Sequence, residues 1–155
     1  MLSRRSLLAT GTLAGLGLLS PAKAETRPPI TVHKDPNCGC CGAWVDHLRA
    51  AGFTVTVNET SALRGIKQRL GVPDHLGSCH TAEIAGYVVE GHVPAAVILR
   101  LLEEKPAGRG LAVPGMPIGS PGMEVEGSPP ETYEVVLFGA GADRIFARYR
   151  GSASI

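Results

Sequence analysis

The chain has 155 residues, of which 44% are hydrophobic and 19% charged, with 15 basic and 14 acidic side chains. Length and apolar content suit one domain with a real core. Three of the basic residues (Arg4, Arg5 and Lys23) fall in the first 24 positions, leaving 12 against 14 acidic ones, so neither nucleic acid nor an anionic membrane surface is an expected partner.

Residues 1–24 read as an export signal. Arg4 and Arg5 form a charged start, Leu7 to Leu19 is mildly apolar, and Ala22-Lys23-Ala24 offers small residues for cleavage. Ser3-Arg4-Arg5-Ser6-Leu7-Leu8 looks like a twin-arginine signal, whose cargo is exported folded. The apolar run is shorter than the about 20 residues a span requires, so an uncleaved membrane anchor is not expected. No membrane span is expected in the mature chain, residues 25–155, and the expected location is periplasmic.

After a polar leader, Ile30 to His33 alternates as a short strand, broken by Asp35-Pro36-Asn37. From Ala43, Trp44, Val45, Leu48 and Ala51 recur at helical spacing, and Gly52 ends the helix. Phe53 to Val57 alternates as a second strand. Leu63, Ile66 and Leu70 mark a second helix that Gly71 and Pro73 close, and a loop from Asp74 to His80 follows. Ala82 to Ala85 and Tyr87 to Glu90 read as short strands around Gly86. A third helix follows Pro94, with Val97, Ile98, Leu101 and Leu102 apolar, and Pro106 to Gly110 closes it. A loop dense in Gly and Pro runs from Val113 to Pro130. Tyr133 to Phe138 and Arg144 to Tyr149 then form a terminal antiparallel hairpin.

The chemistry concentrates in Cys38-Gly39-Cys40-Cys41, which holds three of the four cysteines. In an exported chain four cysteines first suggest two disulfides, but adjacent thiols crowd one site instead of stapling distant loops. Cys38 and Cys41, three apart at a helix start that favours thiolate, can act as a dithiol. Cys-x-x-Cys capping the first helix of a βαβ unit is the sequence context of a thioredoxin-like α/β fold, here a single domain with a Gly/Pro/Met-rich C-terminal extension and a closing hairpin. Cys40 would compete for exchange within such a pair. In a metal site a third sulfur is useful.

Zinc on Cys38, Cys41, Cys79 and His80 would leave Cys40 idle, and the chain lacks a second ligand pair at zinc spacing. Copper(I) accepts thiolate and thioether at low coordination number, and crowded thiolates can bridge several such ions. Met116 and Met123, the only methionines after the initiator, both lie in the Gly-Pro loop and are candidate ligands, as is His80 beside Cys79. The alternative for a loop methionine is a gap-filler over the core. The alternative for His80 is a hydrogen-bonded loop histidine; His33, His47, His75 and His92 read as solvated or capping residues, Trp44 as core, and Arg64, Lys67 and Arg69 as a solvated helix face.

Cys38-Gly-Cys-Cys-Gly-Ala-Trp44, Cys79-His80-Thr81, Gly86-Tyr87, Glu90-Gly91-His92-Val93-Pro94, Gly115-Met116-Pro117 and Gly119-Ser-Pro-Gly-Met-Glu124 together resemble the CopG-type copper-resistance proteins of the bacterial envelope. The resemblance covers nearly all of residues 30–150. It implies a thioredoxin-like domain with a C-terminal extension, a cysteine-bridged multinuclear copper site at Cys38, Cys40, Cys41 and Cys79 with Met116 and Met123 in the extension, and a role in copper redox conversion or handling. Copper ions and envelope copper-efflux components are the expected partners. Pro114 is a candidate for the proline that packs on the dithiol turn of thioredoxin-like domains, commonly after a cis peptide. Two other readings remain: a metal-free thiol–disulfide oxidoreductase, and a copper chaperone or buffer without enzymatic activity.

Overall fold

Alternation of apolar residues builds the first strand of the computed structural model, which describes residues 27–139 and 141–155; the export signal expected over residues 1–24 lies outside them. In β1 (Ile30–Lys34), Ile30 and Val32 point into the core and are fully buried. Helix α1 (Gly39–Ala50) begins four residues before the expected Ala43 and takes in Cys40 and Cys41. Its buried residues, Cys41, Trp44, Val45 and Leu48, recur at three, four and seven positions. The helical stripe thus runs back to Cys41 once that cysteine is counted as apolar.

The remaining elements are β2 (Val55–Glu59), α2 (Leu63–Leu70), β3 (His80–Ile84), β4 (Tyr87–Glu90), α3 (Ala95–Glu104), β5 (Gly110–Ala112), β6 (Thr132–Phe138), β7 (Arg144–Arg150) and β8 (Ala153–Ser154). The eight strands form one mixed sheet in the order β2-β1-β3-β4-β5-β6-β7-β8. β1 is parallel to β2, β3 runs antiparallel to both β1 and β4, and β4 is parallel to β5. The expected terminal hairpin forms as β6 and β7. β5 falls where the sequence reading placed only the end of the third helix and a loop; three residues are too few to establish a period of two.

The helices divide between the two faces of the sheet. Trp44, Val45 and Leu48 of α1 and Val97, Ile98 and Leu101 of α3 share one core with Ile30, Val32, Ala82, Val89 and Leu111. Leu70 of α2 packs on the other face with Val72, Leu76, Val88, Ala112 and Phe138. Neighbours along β4 and β5 thus serve opposite faces, as the pleat requires. His47 links the two helices of the first layer: its Nε2 accepts the Ala95 N–H at 3.0 Å, where the first turn of α3 has no side-chain cap of its own.

The segment between β5 and β6 has no regular structure over residues 113–131. It is held by specific contacts instead. Gly115 N donates to Gly77 O at 3.1 Å, and Ser78 Oγ donates to Gly115 O at 2.5 Å. Farther along, Gly122 has φ +84°, and a β-carbon there would stand 2.7 Å from Trp44 N and 2.8 Å from Cys40 O. Only glycine lets the backbone lie this close on the first turn of α1. All described peptide bonds are trans, so the cis geometry suggested for Pro114 is not adopted. The position beside the dithiol turn, just before β3, belongs to Cys79.

Candidate metal centre

The sheet brings four sulfurs to one point. Cys38 caps the N-terminus of α1 with extended φ and ψ, Cys40 and Cys41 occupy its first turn, and Cys79 immediately precedes β3. Cys40 Sγ lies 3.4 Å from Cys38 Sγ and 3.8 Å from Cys79 Sγ, and Cys41 Sγ lies 3.5 Å from Cys79 Sγ. Cys38 and Cys41 are joined as a disulfide with their α-carbons 5.4 Å apart, while Cys40 and Cys79 are free. Cys41 is buried; the other three are half-buried. Burial and the adjacent Cys40 push the Cys79 thiol up to about 12, so in the metal-free protein it keeps its proton, and a metal binding there must displace it.

Two imidazoles complete the group. His80 is fully buried, with Nδ1 3.3 Å from Cys79 Sγ and its ring 4.3 Å from the Trp44 ring. Its Nε2 has no hydrogen-bond partner among the described residues. Burial, with the His92 and Lys67 charges, holds its pKa well below the usual imidazole range, so the ring is neutral. His92, read from sequence as a loop residue, is fully buried and places Nε2 3.1 Å from Cys79 Sγ. Its Nδ1 is 2.9 Å from Pro121 O. A carbonyl only accepts, so Nδ1 carries the proton and the Nε2 lone pair faces the sulfur. A carbonyl fixing the tautomer in this way is the arrangement of a metal-ligating histidine.

The hairpin register explains why His92 is there. Ile84 pairs with Tyr87 around a two-residue turn, Ala85-Gly86, with φ +48° and +85°. Counting outward, Thr81 pairs with Glu90 and Gly91 N bonds His80 O at 3.1 Å, so Cys79 and His92 fall opposite one another. The signal was present in the sequence as two strands about Gly86.

The other candidates are placed as follows. Met123 follows Gly122, whose backbone lies on Cys40 and Trp44, and is half-buried. Met116 follows Gly115, which is bonded to the Cys79 loop, but its side chain is 51% exposed and lines a surface hollow with Pro114, Pro117, Glu131 and Tyr133. His33 is bonded to Glu83 and Asn58, and His75 pairs with Asp143 at the surface. Trp44 is core as expected, with Nε1–H donating to Val93 O at 2.9 Å. Lys67 is not the solvated charge of the sequence reading: it pairs with the buried Glu90 and donates to Thr81 Oγ1 at 2.9 Å.

Fold and site together define a single-domain α/β protein in which a cysteine cluster and two histidines could hold a metal ion. Among solved structures, two forms of a copper resistance protein CopG match. Form 1 is 49% identical with a TM-score of 0.75, the match covering 81% of this chain and 99% of that one. Form 2 is also 49% identical with a TM-score of 0.74, covering 79% and 98%. The chain therefore belongs to the CopG family of copper resistance proteins. A family profile described as a protein of unknown function, DUF411, matches residues 76–123, a stretch that contains Cys79, His80 and His92 and ends at Met123. No curated protein matches.

The donor set suits copper. Two sulfurs about 2.3 Å from one tetrahedral ion stand roughly 3.8 Å apart, and the observed separations of 3.4–3.8 Å lie at or just under that value. Thiolate and imidazole are donors that copper accepts.

Proposed function

We propose that this is an exported, periplasmic copper-binding protein that uses its thiolate cluster to protect the cell from copper, by interconverting Cu(I) and Cu(II) or by sequestering the metal. The observation that carries this reading is the convergence of Cys38, Cys40, Cys41 and Cys79 within 4.8 Å, with His80 and His92 against Cys79. Membership of a family named for copper resistance supplies the metal.

With the disulfide reduced, four sulfurs and the His92 nitrogen are more donors than one Cu(I) needs, and bridging sulfurs would let the site hold several ions. Met123 is the methionine best placed to join them, because the glycine before it sits on the cysteine turn; Met116 would have to swing in from the surface. The surrounding domain is thioredoxin-like in this reading. Its basis is the parallel β1-β2 pair, β3 antiparallel to β1, the order β2-β1-β3-β4, and a dithiol opening α1. Export through residues 1–24, in twin-arginine fashion, and hand-over to envelope efflux components belong to the same proposal.

Anaerobic titration of the reduced protein with Cu(I), followed by metal analysis, tests the reading. It should retain more than one copper per chain; fewer than one after full loading would end it. The Cys38–Cys41 disulfide favours a second reading, a metal-free thiol–disulfide oxidoreductase. Cys40→Ser separates the two, since it should cripple copper retention while leaving exchange at Cys38 and Cys41 largely intact.

A further inference from the structure

We propose that the four sulfurs divide their work, Cys38 and Cys41 supplying electrons to Cu(II) while Cys40, Cys79 and His92 hold the Cu(I) that results. This rests on the copper reading above and deepens it. Geometry makes the division. Positions 38 and 41 are nearly one helical turn apart, which brings their α-carbons to 5.4 Å and lets the side chains meet. Cys40 is only one residue from Cys41, so its side chain leaves the helix about 100° away. It stays unbridged although its sulfur lies 3.4 Å from that of Cys38.

The two sulfurs left over are not idle. Cys40 and Cys79 stand 3.8 Å apart, close to the span of two sulfurs on one ion. His92 Nε2, with its lone pair fixed by the Nδ1–H bond to Pro121 O, faces Cys79 at 3.1 Å. Closing the Cys38–Cys41 bridge therefore leaves a two-sulfur, one-nitrogen donor set intact, suited to one of the two Cu(I) ions that the step forms.

The step balances. Two S–H bonds break at Cys38 and Cys41, one S–S bond forms, each of two Cu(II) ions gains one electron to become Cu(I), and their two protons pass to water. One Cu(I) stays on Cys40, Cys79 and His92, displacing the Cys79 proton as it binds, and the other leaves the site. A further cycle takes two electrons from a dithiol reductant. Its thiolate would attack Cys38, which is half-buried, because Cys41 is covered.

The experiment begins with fully reduced protein held without oxygen and given two equivalents of Cu(II). The Cu(II) paramagnetic resonance signal is followed, the copper is then removed, and free thiols are mapped by alkylation and peptide mass spectrometry. The expected result is loss of the signal from two copper ions per chain, a Cys38–Cys41 bridge, and alkylation of Cys40 and Cys79. In Cys38→Ser the signal should persist for most of the copper. Retention of Cu(I) with no reduction of Cu(II), a bridge at Cys40–Cys79, or a mixture of pairings would overturn this division while leaving copper binding intact. Failure to retain copper in either oxidation state would overturn both readings. The thiol map needs only the wild-type protein, so it stands even if the variant does not fold.

Discussion

Glu90 is fully buried at the end of β4, and its two carboxylate oxygens reach to either side of the Cys79-His80 pair. One oxygen accepts the Ser78 N–H at 2.6 Å and pairs with Lys67; the other accepts the Thr81 hydroxyl at 2.6 Å. Residues 78 and 81 flank Cys79 and His80, so this one side chain fixes the segment carrying a sulfur and an imidazole. Burial raises the Glu90 pKa, with Lys67 pulling the other way. Glu90→Gln would strand Lys67 beside a neutral amide and put an amide nitrogen where an acceptor is needed. Breaking a buried pair costs about 3–5 kcal/mol, and the low end is expected because the Lys67 side chain is 18% exposed. Urea unfolding of the metal-free variant should give a loss of about 3 kcal/mol; a change under about 0.5 kcal/mol would remove Glu90 from this role.

Among the elements, α1 does two jobs: its first turn carries the thiols, and its far half caps α3 through His47. The His47 pKa is lowered by burial, with the Glu124 charge opposing. Since the folded pKa lies below the unfolded value of 6.5, the unfolded chain binds more protons in the window below 6.5, and stability falls as pH drops through it. His80 and His92 are shifted the same way. Glu90 works in the opposite sense, its contribution fading as pH rises above 4.5. Metal-free protein should keep its melting temperature between pH 6.5 and 8 and lose it on acidification. His47→Leu should lower neutral-pH stability by about 1 kcal/mol and flatten the acid slope; an unchanged slope in melting scans from pH 5 to 8 would mean that His47 does not titrate with folding.

Much at this scale was legible in the sequence. The helices over Trp44–Leu48, Leu63–Leu70 and Val97–Leu101 follow from apolar spacing, and the terminal hairpin from alternation about Gly139. The burial of His92 beside Cys79 was not legible because a histidine's own neighbours say little; its place is set by a partner segment thirteen residues back and by a carbonyl, Pro121 O, in a loop with no period to read. Lys67 misled in the same way, since the Glu90 that neutralises it lies on another element.

For the molecule as a whole, the question is whether a domain can let its thiols open and close without coming apart. The Cys38–Cys41 bridge closes a loop of only four residues, so the entropy it removes from the unfolded chain is worth about 2 kcal/mol. A domain of this kind has about 5–15 kcal/mol in hand. Most of that comes from the two apolar layers on either face of the sheet, neither of which includes a cysteine, and of the four cysteines only Cys41 is fully buried. Reduced and oxidised proteins should therefore both unfold in a single cooperative transition, with stabilities differing by about 2 kcal/mol or less. Loss of the cooperative transition on adding reductant, followed by far-ultraviolet circular dichroism, would contradict this.

The turn at Ala85-Gly86 has a bearing on inheritance. It stands six residues from Cys79 and six from His92, touches neither, and yet its length decides whether they meet. Substitutions there change only how comfortably the chain turns. Losing or gaining one codon would shift one strand against the other and turn alternate side chains to the opposite face, carrying Cys79 and His92 apart while every proposed ligand remained in the gene. A descendant of this protein can vary the letters of that turn, but not their number, and keep its sulfur and imidazole together.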